Sequence, residues 1–170
     1  MRILKVLLVV LAGVLLTACS SKFKSYNGPS VTGIVVHKAE RKMYLLHNEK
    51  VLKTYDIHLG GNPIGHKQFE GDLKTPEGLY YIKGRNPNST YHLSLNVSYP
   101  NTEDRLFAAS QGKPPGGDIF IHGGPPKKVS GRPRTPRSPD WTAGCIAVTD
   151  KEIEQIYAMI GDMTPIMIKP

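Results

Sequence analysis

The sequence predicts a mostly β domain, a small barrel or sandwich with one or two helices packed on it. Three observations carry this. Short segments rich in β-branched and aromatic residues recur from Val31 onward, divided by turn residues. One of them, Tyr91 to Tyr99, sets Tyr, Leu, Leu, Val and Tyr against His, Ser, Asn and Ser. That two-residue period has one apolar and one polar face. The 17 glycines and 14 prolines among 170 residues are many for a helical protein and too few for a disordered chain.

Taken in order, Thr32 to His37 and Lys42 to His47 read as a hairpin joined by Lys38-Ala39-Glu40-Arg41. Val51 to Leu59 continues the meander until Gly60-Gly61-Asn62-Pro63 breaks it. Leu79 to Lys83, Tyr91 to Tyr99 and Asp118 to His122 are further strands. Thr149 and Glu152 have capping-box spacing, and Asp150 and Glu152 suit the positive end of a helix dipole. Ile153, Ile156, Tyr157 and Ile160 form one apolar stripe, Gly161 is the stop, and Thr164 to Lys169 closes as a strand. The stripe is core packing. Length suits a single domain, and the absence of heptads, repeats and long like-charge blocks excludes a coiled coil, collagen and a polytopic membrane protein.

The first residues read as an address. Arg2 and Lys5 precede an apolar run from Leu7 to Leu16, shorter than the roughly 20 residues a membrane-spanning helix needs. The run ends in Leu16-Thr17-Ala18-Cys19, which resembles the lipobox of bacterial lipoproteins. The resemblance implies cleavage before Cys19 and lipidation of that residue; the alternative is an ordinary secretory signal with a chance cysteine. The expected organisation is a signal peptide over 1–18, a lipidated tether over 19–30 and one folded domain over 31–169. Ser20 after the lipid-bearing cysteine favours the outer membrane over the inner, with the domain facing the periplasm. Export and lipidation argue against nucleic acid as a partner, despite the formal charge of +8.

With Cys19 assigned to lipid, Cys145 stands alone in an oxidising compartment, either a reactive thiol or a small buried hydrophobe. Its neighbourhood is informative. A strand delivers His122, Gly123-Gly124 turns the chain sharply, and a basic Pro-rich loop returns to Trp141-Thr142-Ala143-Gly144-Cys145. A cysteine nucleophile needs a base to make the thiolate, backbone amides for the oxyanion, and a small neighbour that lets a carbonyl approach. His122 and Gly144-Cys145 have the residue types for this, although spacing alone does not bring them together.

This segment resembles the catalytic core of the L,D-transpeptidases, the YkuD-like family, with its His-Gly, a loop, and Ser/Thr-x-Gly-Cys. Gly71-Asp72-Leu73-Lys74-Thr75-Pro76-Glu77-Gly78 resembles a second signature of that family, and the likeness runs from Val31 to Ile168. It implies that fold, with Cys145 as nucleophile and His122 as its base. Gly123 would orient the imidazole through its carbonyl, the Gly144 and Cys145 amides would form the oxyanion site, and Thr142 would support the turn. It implies acyl transfer on peptidoglycan stem peptides through a Cys145 thioester, without cofactor or metal. Where many members carry His or Lys this chain has Ala143, and where they carry a substrate-binding Arg it has Ala147. Arg85, Arg105 or the loop residues Lys127, Lys128, Arg132, Arg134 and Arg137 are the candidate replacements. The divergence is similar to a branch with hydrolases that release a murein-bound lipoprotein. Two alternatives therefore stand beside the transpeptidase: such a hydrolase, and an inactive peptidoglycan-binding lipoprotein. His37, His47, His58 and His66 read as structural or exposed, and His92 as ambiguous.

Overall fold

The structure, a computed structural model, describes residues 21–126 and 139–170. The expected signal peptide, Cys19, and Lys127, Lys128, Arg132, Arg134 and Arg137 of the basic loop lie outside these residues.

Eight strands form one curled sheet. They are β1 (Gly33–His37), β2 (Lys42–His47), β3 (Lys50–Asp56), β4 (Gly78–Asn86), β5 (Ser94–Val97), β6 (Phe120–His122), β7 (Ile146–Ala147) and β8 (Pro165–Lys169), in the order β3-β2-β1-β8-β4-β5-β6-β7. The hairpin of β1 and β2 pairs Gly33 with Leu46 and His37 with Lys42, as the alternation requires. Strand β8 inserts between β1 and β4, parallel to the first and antiparallel to the second. Helix α1 (Thr102–Ser110) and helix α2 (Asp150–Met159) complete the domain. Among the described residues no helix is long and apolar enough to cross a membrane.

The core follows the periodicity. Ile34, Val36, Met43, Leu45, Tyr80, Ile82, Leu95, Val97, Ile121, Ile146, Ile166 and Ile168 are buried on the inner face of the curl. Ile153, Ile156 and Met159 of α2 join the same cluster. Thr149 caps α2 with the expected reciprocal bonds: its side chain accepts from the Glu152 amide, and the Glu152 carboxylate accepts from the Thr149 amide.

Four elements differ from the sequence expectation. The strand expected over Tyr91 to Tyr99 shrinks to four residues, because His92 adopts a left-handed φ of 73° and Pro100 stops the far end. Helix α1 was not foreseen; its signal was Asn101, three residues before Asp104, which forms a full capping box. Strand β7 is only two residues long and is stable only because it is paired on both sides. The fourth difference is the tether. Lys22 Nζ donates to the Pro87 carbonyl at 2.6 Å, Lys24 pairs with Glu154 at 3.3 Å, and Tyr26 packs against the core. These contacts hold the segment on the domain surface.

Replacing Thr149 by Ala removes the cap of α2 and should cost about 1 kcal/mol. Thermal denaturation should register this as a fall in Tm of about 3 °C.

Candidate active site

The site is built where the two ends of the curled sheet meet. Residues 57–61, just beyond β3, grip both flanks of the turn that carries Cys145. On one side His58 and Ala147 exchange backbone hydrogen bonds at 2.8 and 2.9 Å. On the other, the Thr142 amide donates to Leu59 O at 3.1 Å, and the Gly61 amide donates to Thr142 O at 3.0 Å. Asp140 adds a third fixing: its carboxylate accepts from the Leu59 amide at 3.0 Å and from Arg41 Nη2 at 2.7 Å. The His58 Nδ1 donates to Pro139 O. Gly60 can only be glycine here, since a Cβ would lie 2.1 Å from Leu73 O.

Register places His122 beside this turn. Strand β6 runs parallel to β7, with Ile121 opposite Ile146 and His122 opposite Ala147. Ile121 and Ile146 are fully buried in the core. Their neighbours His122, Ala147 and Cys145 therefore present to the opposite face, because side chains alternate along a strand. Extending the ladder by one residue sets Cys145 beside Phe120, so the thiol and the imidazole are diagonal neighbours on one face. Ser94 and Asn96 of β5, opposite His122 and Phe120, continue that face. Two buried polar atoms of this region, Asn96 Oδ1 and Trp141 Nε1, have no hydrogen-bond partner.

The imidazole is held in one tautomer. His122 Nδ1 lies 2.7 Å from Gly123 O, an acceptor only, so Nδ1 carries the proton and Nε2 keeps its lone pair. The Tyr91 ring covers it at a centroid distance of 4.3 Å, and Trp141 meets it edge-on at 5.7 Å. The Gly123 amide donates to Tyr91 O at 3.1 Å, and a Cβ on Gly123 would come within 2.7 Å of both Tyr91 O and Asp150 Oδ1. Burial lowers the His122 pKa below its ordinary value, against the opposing pull of the Gly123 carbonyl.

Cys145 is pushed the other way. Burial raises its thiol pKa; the Phe120 backbone lowers it, Asp118 raises it and Lys67 lowers it, but the net shift is upward. The thiol donates weakly to Asp118 O at 3.5 Å. Burial thus shifts both groups toward their uncharged forms. Thr142 organises the turn: its hydroxyl donates to Cys145 O at 2.7 Å and accepts from the Gly144 amide at 3.1 Å. The Gly144 amide, expected from the resemblance to face an oxyanion, donates to Thr142 Oγ1 here.

The Gly71–Gly78 segment forms the wall against this turn. Asp72 accepts from the amides of Gln68, Phe69 and Lys74 at 2.8 to 3.0 Å and from Lys67 Nζ at 2.8 Å. Burial alone would raise the Asp72 pKa, but Lys67 and these amides hold it below the usual carboxylate range. The loop so tightened carries Lys74 O to 2.6 Å from the position of a Cβ on Gly144, whose φ is 134°. The buried Lys38 ammonium ties the far end down, donating to Thr75 O at 3.0 Å and Glu77 Oε1 at 2.7 Å.

A model of the family YkuD, L,D-transpeptidase catalytic domain, matches residues 32–168. The chain belongs to this family. It is 29% identical over 150 residues to YafK of Escherichia coli K12, covering 85% of this chain and 53% of that one. Among solved structures it resembles the helical cell shape determining protein Pgp2 of Campylobacter jejuni, with 28% identity and a TM-score of 0.61. That match covers 85% of this chain and 49% of Pgp2. Bd1075 of Bdellovibrio bacteriovorus is 25% identical with a TM-score of 0.55, over 86% and 50% of the two chains. The chain therefore spans about half the length of these relatives.

Within this L,D-transpeptidase domain, Arg85 and Arg105 are the described residues among the cations expected to replace a family arginine. Arg85 donates to Tyr157 O and stacks over the Tyr157 ring at 4.1 Å. It pairs in register with Leu95, on the sheet face opposite His122. Arg105 is exposed on α1, whose side-chain contacts run through Asp104 to His66 and Tyr80. Arg137 lies outside the described residues. Position 147 itself is fully buried between His58 and His122. A cavity of about 750 Å³ beside α1, lined among others by His66, Glu77, Tyr80 and Asp104, includes neither Cys145 nor His122. Among the described residues no cluster of three or more His, Cys, Asp or Glu could hold a metal ion.

The roles of Tyr91, Arg41, Asp140 and Lys67 went unread in the sequence. Only Tyr91 left a trace there, as the first residue of the alternating segment.

Thr142→Val removes both turn hydrogen bonds at nearly constant volume and should cost about 1–3 kcal/mol of stability. Gly144→Ala, forced against Lys74 O at a positive φ, should cost more. Chemical denaturation of the two variants checks the order.

Proposed function

We propose that this domain is a cysteine acyltransferase acting on peptidoglycan stem peptides, with Cys145 as nucleophile and His122 as general base. The observation that carries the reading is the β6–β7 register, which sets the two side chains on one sheet face with His122 Nε2 unprotonated. The family and the cell-shape role named for Pgp2 point to the same substrate.

The chemistry follows from the resting charges. His122 Nε2 removes the thiol proton as Sγ attacks the carbonyl of the stem peptide, and the negative charge passes to the carbonyl oxygen. The Cys145 amide is the donor for this oxyanion, since the Gly144 amide is engaged. Collapse breaks the peptide bond, and the imidazolium returns its proton to the departing amine. An amine or water then attacks the thioester. An amine gives a cross-link or an attached protein, such as a peptidoglycan-linked lipoprotein; water gives hydrolysis. The polar face of Ser94 and Asn96 and the indole N–H of Trp141 suit a peptide substrate rather than an apolar one. The same proposal places the domain in the periplasm, anchored through lipid on Cys19, with the outer membrane as the favoured site.

Cys145→Ala should abolish turnover of purified muropeptides, and chromatography of the products identifies the acceptor. An unchanged muropeptide profile with wild-type protein would defeat the reading. The pKa directions add a second test. His122 must be neutral to act, and burial keeps it so further into acid; the acid limb of kcat/KM should therefore fall below the ordinary histidine value of about 6.5. Alkylation by iodoacetamide needs the thiolate, so its rate for Cys145 should rise only above the ordinary thiol value of about 8.5.

A further inference from the structure

The segment next to the proposed lipid anchor is fastened at several points. Lys22 Nζ donates to Pro87 O at 2.6 Å and to His92 O at 3.3 Å, both in the loop between β4 and β5. Lys24 pairs with Glu154 of α2, which also binds His92 Nε2 at 2.9 Å. The Phe23 ring stands 6.4 Å from that of Tyr157 and remains 54% exposed. Tyr26 closes the run by packing on the core.

Two consequences follow. Only Ser20 and Ser21 separate Cys19 from the docked Lys22, and three residue steps reach at most about 11 Å. In addition, the loop that Lys22 grips also carries Tyr91, whose ring covers His122. That loop thus links the docked segment to the Cys145–His122 site, while Phe23 and Lys24 rest on α2, across the sheet from His122.

We propose that residues 21–26 form a strap that holds the catalytic domain against the lipid bilayer, with its active site at a fixed distance from the membrane surface. This rests on the lipidation of Cys19 proposed above. Lys22 and Lys24 are engaged by carbonyls and Glu154, so they clamp the domain to its own anchor rather than reading lipid headgroups. The exposed Phe23 ring, four residues from Cys19, suits insertion at the bilayer interface. The substrate is then peptidoglycan that approaches the membrane, since a freely tethered domain would search a larger volume.

The chain has one tryptophan, Trp141, next to His122, so its emission reports the position of the active site. Full-length acylated protein is reconstituted in phosphatidylcholine vesicles containing a dansyl-headgroup lipid, and energy transfer from Trp141 is measured. A spacer of twenty Gly and Ser residues inserted between Ser20 and Ser21 adds roughly 25 Å of reach and should lower transfer about threefold or more. The double variant Lys22→Ala, Lys24→Ala should give an intermediate loss. Both should turn over soluble muropeptides within about twofold of wild type, because the changes are on the surface. Equal transfer with and without the spacer, or in the double variant, would overturn the strap. The mass of the Cys19 peptide separates the causes. An unlipidated Cys19 removes the anchor and the strap together and leaves the acyl-transfer reading to stand on soluble turnover.

Discussion

The structure depends on a seam. A sheet of eight strands in one row has two edges, and here they are β3 and the two-residue β7. Unpaired edges expose backbone donors and acceptors, and two residues cannot make a lasting strand alone. Residues 57–61 solve both problems by continuing past β3 to pair with Ala147 and Thr142. The same five residues hold both flanks of the Cys145 turn. Closure of the sheet and placement of the thiol are therefore one event, and Gly60 is the point where the backbones come too close for any side chain.

The charges around the seam are arranged in pairs. Buried Lys38 pairs with Glu77, buried Lys67 with Asp72, and Asp140 with the half-buried Arg41. Removing Glu77 or Asp72 would leave a buried ammonium unpaired, which is far costlier than losing a surface ion pair. These pairs brace the Gly71–Gly78 wall and the entry to the turn. Against this paired background, Cys145 and His122 are the groups that burial keeps uncharged, one shifted up and the other down. In the proposed mechanism, this uncharged pair separates charge only when an acyl group arrives.

The loop between β4 and β5 joins the two halves of the molecule. Its inner side delivers Tyr91 to the imidazole, and its outer side receives Lys22. The left-handed turn at His92 shortens β5 and lets the chain serve both sides. Helix α2 repeats the pattern: Asp150 at its start accepts from the Gly124 amide, while Glu154 one turn later holds Lys24 and His92.

What could be read from the chain alone was whatever depends on near neighbours. The two-residue alternation of β5, the Thr149–Glu152 cap and the apolar stripe of α2 are patterns a few residues long, and the fold class followed from them. The pairing of His-Gly with Thr-x-Gly-Cys pointed to a family by resemblance, without showing that the two motifs share one face of the sheet. That shared face, the commitment of the Gly144 amide to Thr142, the removal of Arg85 to the opposite face and the docking of the supposed tether were decided only by tertiary structure. The reason is distance along the chain. Arg41 binds Asp140 across 99 residues and Lys22 binds the His92 carbonyl across 70, and such pairings arise from the way the sheet curls, which no local pattern in a single sequence encodes.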